Sequence, residues 1–226
     1  MGRQTAIRVR LATSTTEDET LNKPNKLPII GLTGGMGSGK STVSRFLAVH
    51  GGCILDADAI NHEQMRAGMP AYMSIVEAFG QNILDTDGEI ARRALGAIVF
   101  QDESKLQKLV EITHKHVANA TMQAIDALQK DNQNHRFIVI DAPLLIEANM
   151  HTICDAVWVV TANDGIRIAR ILERDGLTKE QALERIQKQI PQSTLAGYAD
   201  CILQNNGDLK TLEIEIDKCL RQILEN

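Results

Sequence analysis

The sequence predicts an α/β fold in which a five-stranded parallel sheet lies between two layers of helices. Five short apolar runs support this, at residues 28–32, 53–55, 137–140, 156–160 and 201–203, with long helical patterns between them. The runs are apolar without alternation, which is typical of strands covered on both faces, as in a parallel sheet. Helices between such strands supply the crossovers that parallel pairing requires.

Composition limits the functions that are open to the chain. It has 226 residues, of which 43% are hydrophobic, so a sizeable core can be buried. Aromatic residues are only 3% and the net charge is −5, which disfavours a nucleic-acid partner. The apolar stretches are far shorter than the about 20 residues that cross a bilayer, so we expect no membrane partner.

Residues 1–26 are polar and lack the apolar region of a secretory signal, so we interpret them as a disordered or tag-like tail. The four cysteines, Cys53, Cys154, Cys201 and Cys219, form no CxxC pair. Three of them lie in or beside apolar runs and are interpreted as small core residues, and the pattern fits a reducing compartment. A cytoplasmic location is therefore expected.

The first apolar run is followed by a glycine-rich loop. Residues 34–41 read GGMGSGKS and match the pattern GxxxxGK[ST], and a helical pattern continues over 42–47. Glycines let the backbone curl so that its amides face phosphate oxygens, and the following helix adds its positive end. Lys40 is expected to reach the β- and γ-phosphates, and Ser41 to hold Mg²⁺. The predicted nucleotide-binding residues are Gly35, Met36, Gly37, Ser38, Gly39, Lys40, Ser41 and Thr42.

Two aspartates, Asp56 and Asp58, follow the second run. Ligands of open α/β sheets bind outside the carboxyl ends of the strands, so an acid here could accept the proton of an attacking hydroxyl. If the segment stays extended, both carboxylates face one side. The alternative is that Asp58 caps a helix that begins near Ala59.

A long gap of about 80 residues separates the second and third runs, which is more than a simple crossover needs. Turn signals occur at 68–70 and 85–88. One helical face is predicted for Ile90, Ala94, Leu95 and Ile98, and another for Leu106, Leu109, Val110, Thr113 and Val117. We interpret residues 59–135 as a helical insertion beside the sheet.

Asp141 ends the third run and is a candidate for holding a water of Mg²⁺, the alternative being a turn or cap residue. The fourth run is followed by a second insertion, residues 164–199, which carries Arg167, Arg170, Arg174 and Arg185. Arg170 and Arg174 share a helix face and could clamp triphosphate oxygens. The alternative is a solvated face paired with neighbouring acids.

Taken in order, these motifs resemble the dephospho-CoA kinase family from about residue 28 to the C-terminus. The matching stretches are LTGGMGSGKST at 32–42, DAD at 56–58, DG at 87–88 and DAPLLIE at 141–147, together with Arg92, Val99, Phe100, His114, Arg170, Arg174, Gln189, Ala199, Asp200 and Asn205. The resemblance implies a P-loop NTPase-type three-layer sandwich with a helical acceptor-binding insertion and a helical lid. It divides the chain into a core (27–58, 136–163 and 200–226), the insertion (59–135) and the lid (164–199).

The resemblance also implies the reaction, in which ATP, with Mg²⁺, phosphorylates the ribose 3′-hydroxyl of dephospho-CoA. It implies that Asp58 is the general base and that Asp56 supports the base or the metal. Arg170 and Arg174 act from the lid, and Asn205 lies near adenine. The residues implied on the acceptor side are Arg92, His114, Pro143, Leu144 and Glu147.

Three other functions are compatible with a phosphate-binding loop. A nucleoside monophosphate kinase shares the phosphate loop and the lid, so acceptor comparison must separate it. A GTPase commonly has an NKxD segment after the loop, and here Asn22-Lys23 lies before it. A protein that only binds ATP would need neither Asp56 and Asp58 nor the arginines. A monomer or a small homo-oligomer is expected.

Overall fold

The computed structural model describes residues 26–131 and 134–225, so the predicted tail lies outside the described residues except for Lys26. Five strands form one sheet in the order β2-β3-β1-β4-β5. They are β1 (Ile29–Thr33), β2 (Gly52–Asp56), β3 (Phe137–Asp141), β4 (Ala156–Thr161) and β5 (Cys201–Gln204). Strand β1 pairs in parallel with β3 and β4, and β4 pairs in parallel with β5. The prediction of a five-stranded parallel sheet is confirmed.

The helices come between and after the strands. They are α1 (Lys40–Val49), α2 (Ala57–Gln64), α3 (Pro70–Phe79), α4 (Arg92–Val99), α5 (Glu103–Lys130), α6 (Asp164–Asp175), α7 (Lys179–Gln187), α8 (Gln192–Ala196) and α9 (Leu209–Leu224). The chain forms two compact units, of which the second is Leu55–Asp131 and the first contains the described residues on either side of it. Among the described residues, no helix is long and apolar enough to span a membrane.

The first unit buries one face of the sheet beneath α1 and α9. Val43 and Leu47 of α1 and Leu212, Ile216 and Leu220 of α9 belong to the same buried cluster as alternate residues of the strands. Side chains two apart along a strand share a face, which explains the alternation. Full burial of such a side chain stabilises the fold by about 1.5–3 kcal/mol, so this layer fixes the strands against α1.

The opposite face of β1 leaves no room for a side chain at Gly31. A Cβ atom there would lie 2.7 Å from both Cδ2 of Leu145 and Sγ of Cys154. Burial raises the pKa of the Cys154 thiol to about 12, so this thiol stays protonated and donates to the Met150 oxygen at 3.3 Å. Gly31 thus allows the segment after β3 to pack directly on the central strand.

The second unit has its own core. Ala71, Ile75, Ile83, Leu95 and Val99 are buried together. Val117 of α5 is also buried, whereas Leu106 and Val110 are exposed, so only part of the predicted α5 face is covered. The predicted turns are confirmed, since Gly68 has a φ of +86° just before α3 and the Asp85 carboxylate accepts hydrogen bonds from the amides of residues 87 and 89.

The prediction that Ile90 lies on a helix face is wrong. Helix α4 begins at Arg92, and Ile90 instead forms an isolated antiparallel bridge with Leu84. Its side chain is nevertheless buried in the core of the second unit. The hydrophobic periodicity thus correctly indicated that Ile90 is buried. The backbone at Ile90 is extended and not helical, because it follows the turn at 85–88 and pairs with Leu84.

The cysteine pattern was interpreted without a disulfide, and the structure contains one. A disulfide joins Cys201 of β5 to Cys219 of α9, with a sequence separation of 18, whereas Cys53 and Cys154 are thiols. The sequence could not reveal this pair, because the two sulfurs meet only when α9 packs on the edge of the sheet. The bond closes a loop that contains the connection from β5 to α9.

We expect reduction of this disulfide to lower the stability of the first unit. Closing a loop of this length restricts the unfolded chain, and loss of the bond costs about 2–4 kcal/mol. A reductant should therefore lower the melting temperature of the wild-type protein and of Cys53→Ser by several degrees. The melting temperature of Cys219→Ser should not respond. An equal response of Cys219→Ser, or none in the wild type, would contradict the bond.

Candidate active site

The loop between β1 and α1 brings its backbone close to two other segments of the first unit. Gly37 and Gly39 have φ angles of +77° and +90°, which glycine adopts without strain. A Cβ atom on Gly37 would lie 2.6 Å from the backbone oxygen of Arg167, and one on Gly39 would overlap Nδ2 of Asn205. Glycine at these two positions therefore permits both the curl of the loop and its close contacts.

The carbonyl groups of the loop are bound by guanidinium groups of α6. Nε of Arg167 donates to the Met36 oxygen at 3.0 Å. Nη1 of Arg170 donates to the oxygens of Gly37 and Ser38, both at 3.3 Å. Three consecutive carbonyls thus point toward α6.

Asn205, the residue after β5, completes this arrangement. It is buried, donates from Nδ2 to the Ser38 oxygen at 2.9 Å, and accepts from Nη2 of Arg170 at 3.2 Å. Its own amide donates to the oxygen of Thr161 at 2.8 Å, which fixes it to β4. The loop, α6 and the end of β5 therefore form one hydrogen-bonded network.

The orientation of the carbonyls sets the orientation of the amides. No peptide bond of the described residues is cis, and a trans peptide places its N–H opposite its C=O. Because the Met36 and Ser38 oxygens face α6 and Asn205, the amides of Gly37 and Gly39 face the other way. Helix α1 then begins at Lys40 with no side-chain cap and no acid in its first turn. Unpaired amides at such a helix start are a favourable site for an anion.

Lys40 and Asp141 form an ion pair at the carboxyl end of β3. Asp141 is the last residue of β3 and lies beside Leu32 of β1, so the strand register places it next to the loop. The lysine side chain is 19% exposed and the aspartate side chain 10%. The pair compensates two charges that would be costly to bury singly.

The loop also contains polar atoms suited to a phosphorylated ligand. Ser38 Oγ is buried and, among the described residues, has no hydrogen-bond partner. Ser41 is exposed in the first turn of α1. An orphan hydroxyl, free helix amides and a lysine together fit a triphosphate and a hard cation such as Mg²⁺. No cluster of three or more His, Cys, Asp or Glu that could hold a metal occurs within 26–131 and 134–225.

The two predicted arginines of α6 have different surroundings. Arg170 contacts the loop, as described above, while the exposed Arg174 binds the Asp175 carboxylate from Nε and Nη2 at 2.7 and 2.9 Å. This bonding raises the pKa of Arg174 and lowers that of Asp175. The exposed pair matches the solvated-face alternative for Arg174, whereas Arg170 belongs to the loop network.

The segment after β2 is not extended, so the condition under which Asp56 and Asp58 would face one side is not met. Helix α2 begins at Ala57, and Asp56 is its N-cap. Oδ1 of Asp56 accepts from the amides of Asp58 and Ala59 at 2.9 and 3.0 Å. The alternative that Asp58 caps the helix is therefore wrong, because Asp58 already lies in its first turn. Both aspartates are exposed.

The second unit holds the predicted acceptor residues Arg92 and His114. Arg92, at the start of α4, is hydrogen-bonded to Nδ1 of His62. These two residues line a cavity of about 290 Å³ together with Met65, Arg66, Glu89 and Ile90. His114 is half-buried on α5 and does not line that cavity.

The predicted acceptor residues after β3 belong to the first unit. Leu144 and Glu147 are exposed, while Leu145 and Ile146 between them are buried. Pro143 accepts a hydrogen bond at its carbonyl oxygen from Oγ1 of Thr33 at 3.2 Å, which ties the segment to the end of β1. Two exposed side chains are thus presented from a fixed turn beside Asp141.

Comparison with known proteins decides the family. The family model described as dephospho-CoA kinase matches residues 28–211. The chain belongs to the dephospho-CoA kinase family. The dephospho-CoA kinase of Carboxydothermus hydrogenoformans is 41% identical over 190 residues, covering 84% of this chain and 91% of that protein. The dephospho-CoA kinase of Shouchella clausii is 38% identical over 178 residues, covering 79% and 89%.

Solved structures agree with this membership. The crystal structure of TT1252 from Thermus thermophilus matches with a TM-score of 0.73 and 29% identity, covering 88% of this chain and 99% of that chain. Dephospho-CoA kinase from Campylobacter jejuni matches with a TM-score of 0.65 and 26% identity, covering 87% and 97%. The P-loop kinase fold implied by the sequence resemblance is confirmed.

Two contacts of this kinase were not assigned by sequence reasoning. In the sequence, Arg167 is only one of several arginines in residues 164–199. Among the three arginines of α6 it is the most buried, with a side chain that is 5% exposed. Gln189, named within the family resemblance but given no role, accepts from the Met36 amide at 2.8 Å. The spacing of Arg167, Arg170 and Arg174 on one helix face was the available signal for the first.

A glycine pair tests the loop geometry. Gly39→Ala should weaken ATP binding by about tenfold or more, because the left-handed conformation and Asn205 oppose a Cβ atom. Gly165→Ala is the matched control, since it lies in α6 with nothing within 4 Å of its Cβ position. The control should bind ATP normally and gain up to about 1 kcal/mol of helix stability. Equal ATP affinities in the two variants, measured by calorimetric titration, would contradict the geometry.

Proposed function

We propose that this enzyme transfers the γ-phosphoryl group of ATP to the ribose 3′-hydroxyl of dephospho-CoA, giving coenzyme A and ADP, the last step of coenzyme A synthesis. The observation that carries the proposal is the loop whose carbonyls are bound by Arg167, Arg170 and Asn205, which leaves amides for phosphate. Membership of the dephospho-CoA kinase family supports the choice of acceptor.

In the proposed nucleotide site, residues 35–42 bind the triphosphate, with the amides of Gly37 and Gly39 directed at the phosphates, and Lys40 reaches the β- and γ-phosphates. Lys40 would exchange its Asp141 partner for phosphate oxygens, and the released carboxylate would hold water on Mg²⁺ beside the Ser41 hydroxyl. A cation held there would supply neutralisation of the charge that develops on the transferring group. Asn205 is proposed to lie near adenine.

Asp58 is the proposed general base for the 3′-hydroxyl. Asp56 supports it through the backbone, because its carboxylate binds the amide of Asp58 and so fixes the first turn of α2. Phosphoryl transfer needs little covalent help from the protein, so positioning of the hydroxyl and electrostatic stabilisation supply most of the acceleration.

The remaining predicted residues are proposed to bind either the acceptor or the triphosphate. We propose that Arg92, His114, Pro143, Leu144 and Glu147 contact dephospho-CoA, with 59–135 as the acceptor-binding insertion. Residues 164–199 would form the lid. From it, Arg170 and Arg174 would bind the triphosphate as charge develops on the leaving group. Arg174 would leave Asp175 to do so.

The proposal includes a cytoplasmic enzyme that acts as a monomer or small homo-oligomer and binds no nucleic acid. The net charge of −5 supports the proposal that the enzyme binds no nucleic acid. A reducing cytoplasm favours free thiols at Cys201 and Cys219. Thiol trapping at cell lysis therefore tests the location. Mostly oxidised Cys201 and Cys219 would weigh against it.

The reaction is tested by coupled ADP release with several acceptors. Dephospho-CoA should support turnover that requires Mg²⁺, whereas AMP, UMP and CMP should not, because the enzyme binds the whole acceptor rather than a nucleotide alone. Faster turnover with one of the monophosphates would favour the alternative, a nucleoside monophosphate kinase. Kinases of that class share the phosphate loop and the lid.

The role of Asp58 is tested by Asp58→Asn. Loss of a well-placed base lowers turnover by about 10²- to 10⁴-fold, while ATP affinity should stay within about twofold of the wild type. Asp126→Asn, an exposed carboxylate on α5, is the control and should retain full turnover. Near-normal turnover of Asp58→Asn with dephospho-CoA would remove Asp58 from the mechanism.

A further inference from the structure

Met36 is held from two sides by side chains of the proposed lid. Its amide donates to Oε1 of Gln189 at 2.8 Å, and its carbonyl oxygen accepts from Nε of Arg167 at 3.0 Å. Arg167 is on α6, and Gln189 lies between α7 and α8, so the two bonds span 131 and 153 residues. The backbone at Met36 is therefore oriented by residues that are remote in sequence.

The chemistry of Gln189 fixes its orientation. A backbone amide can only donate, so the amide oxygen and not the amide nitrogen of Gln189 must face Met36. This bond uses the Met36 amide, which is consequently not directed at a ligand. Gln189 thus selects which loop amides are left for phosphate.

Arg167 has no strong stabilising role as an ion pair. Its side chain is 5% exposed, whereas its carboxylate partner Asp164, at 3.0 Å, is 74% exposed. Burying a guanidinium beside a solvated acid is costly, and an apolar side chain of similar size would often be as stable. The bond to Met36 gives this buried charge a specific task.

The side chains of Arg167 and Gln189 pack closely against the loop at Gly35. A Cβ atom on Gly35 would lie 2.8 Å from Nη2 of Arg167 and 3.5 Å from Oε1 of Gln189. The absence of a side chain at Gly35 therefore lets both groups reach the backbone on either side of Met36. A shift of either side chain would allow the flanking peptide groups to rotate.

We propose that Arg167 and Gln189 are positioning residues that orient the two peptide groups flanking Met36, so that the Gly37 amide faces the triphosphate. The inference rests on the proposed function only in that the loop binds ATP. Because both residues belong to 164–199, nucleotide affinity and the position of this segment are coupled, and each must affect the other.

The test measures nucleotide binding in the absence of an acceptor. A negative result therefore contradicts this proposal without bearing on whether dephospho-CoA is the acceptor. Mg²⁺-ADP and Mg²⁺-ATP are titrated into the wild type, Gln189→Met and Arg167→Met. The control is Gln187→Met, an exposed neighbour at the end of α7. Gln189→Met should weaken nucleotide binding about 5- to 10-fold, because the loop then holds the orientation that directs the Gly37 amide at phosphate only part of the time. The control should bind as the wild type does.

Two further readouts separate positioning from general structure. The KM for ATP should rise in Gln189→Met while the KM for dephospho-CoA stays near the wild-type value and the ligand-free melting temperature falls by no more than a few degrees. The double variant should bind nucleotide about as weakly as Arg167→Met alone, because both residues act on one loop orientation. If Arg167→Met does not fold, Gln189→Met decides by itself. Nucleotide binding by Gln189→Met within twofold of the wild type overturns the proposal.

Discussion

The orientation of three consecutive carbonyl groups, those of Met36, Gly37 and Ser38, is the constraint on which the active site depends. A peptide group cannot direct its oxygen and its N–H to the same side, so binding the oxygens from α6 and Asn205 directs the amides at Gly37 and Gly39 elsewhere. An anion site in a protein of net negative charge is built in this way from neutral backbone dipoles. Lys40 adds one positive charge, which Asp141 balances.

The elements that support these contacts come from distant parts of the chain. Strand β5 and α9 are joined by the Cys201–Cys219 bond, and Asn205 lies in the connection between them. The same residue is tied to β4 through Thr161 and to α6 through Arg170. The loop therefore takes its shape from the sheet edge and α6 together, rather than from its own glycines alone. Glycine makes the curl possible, and the surrounding donors determine which curl is adopted.

The parts of the fold that were predictable are those encoded locally. Uninterrupted apolar runs indicated all five strands, and the GxxxxGK[ST] spacing indicated the loop and the start of α1, because each depends on neighbouring residues. Contacts that depend on packing were not predictable, as with Arg167 and Met36, which are 131 residues apart. The Cys201–Cys219 bond was missed for the same reason. At Asp56 the local signal existed, since aspartate favours the N-cap, but the helix start was placed two residues late.

The most direct measurement of the central claim is a comparison of backbone amide resonances with and without Mg²⁺-ADP. The amides of Gly37 and Gly39 should move strongly on binding, because they face the phosphates, while that of Met36 should stay nearly fixed on Gln189. A large change at Met36 with none at Gly37 and Gly39 would show that the loop presents a different set of amides and would contradict the claim.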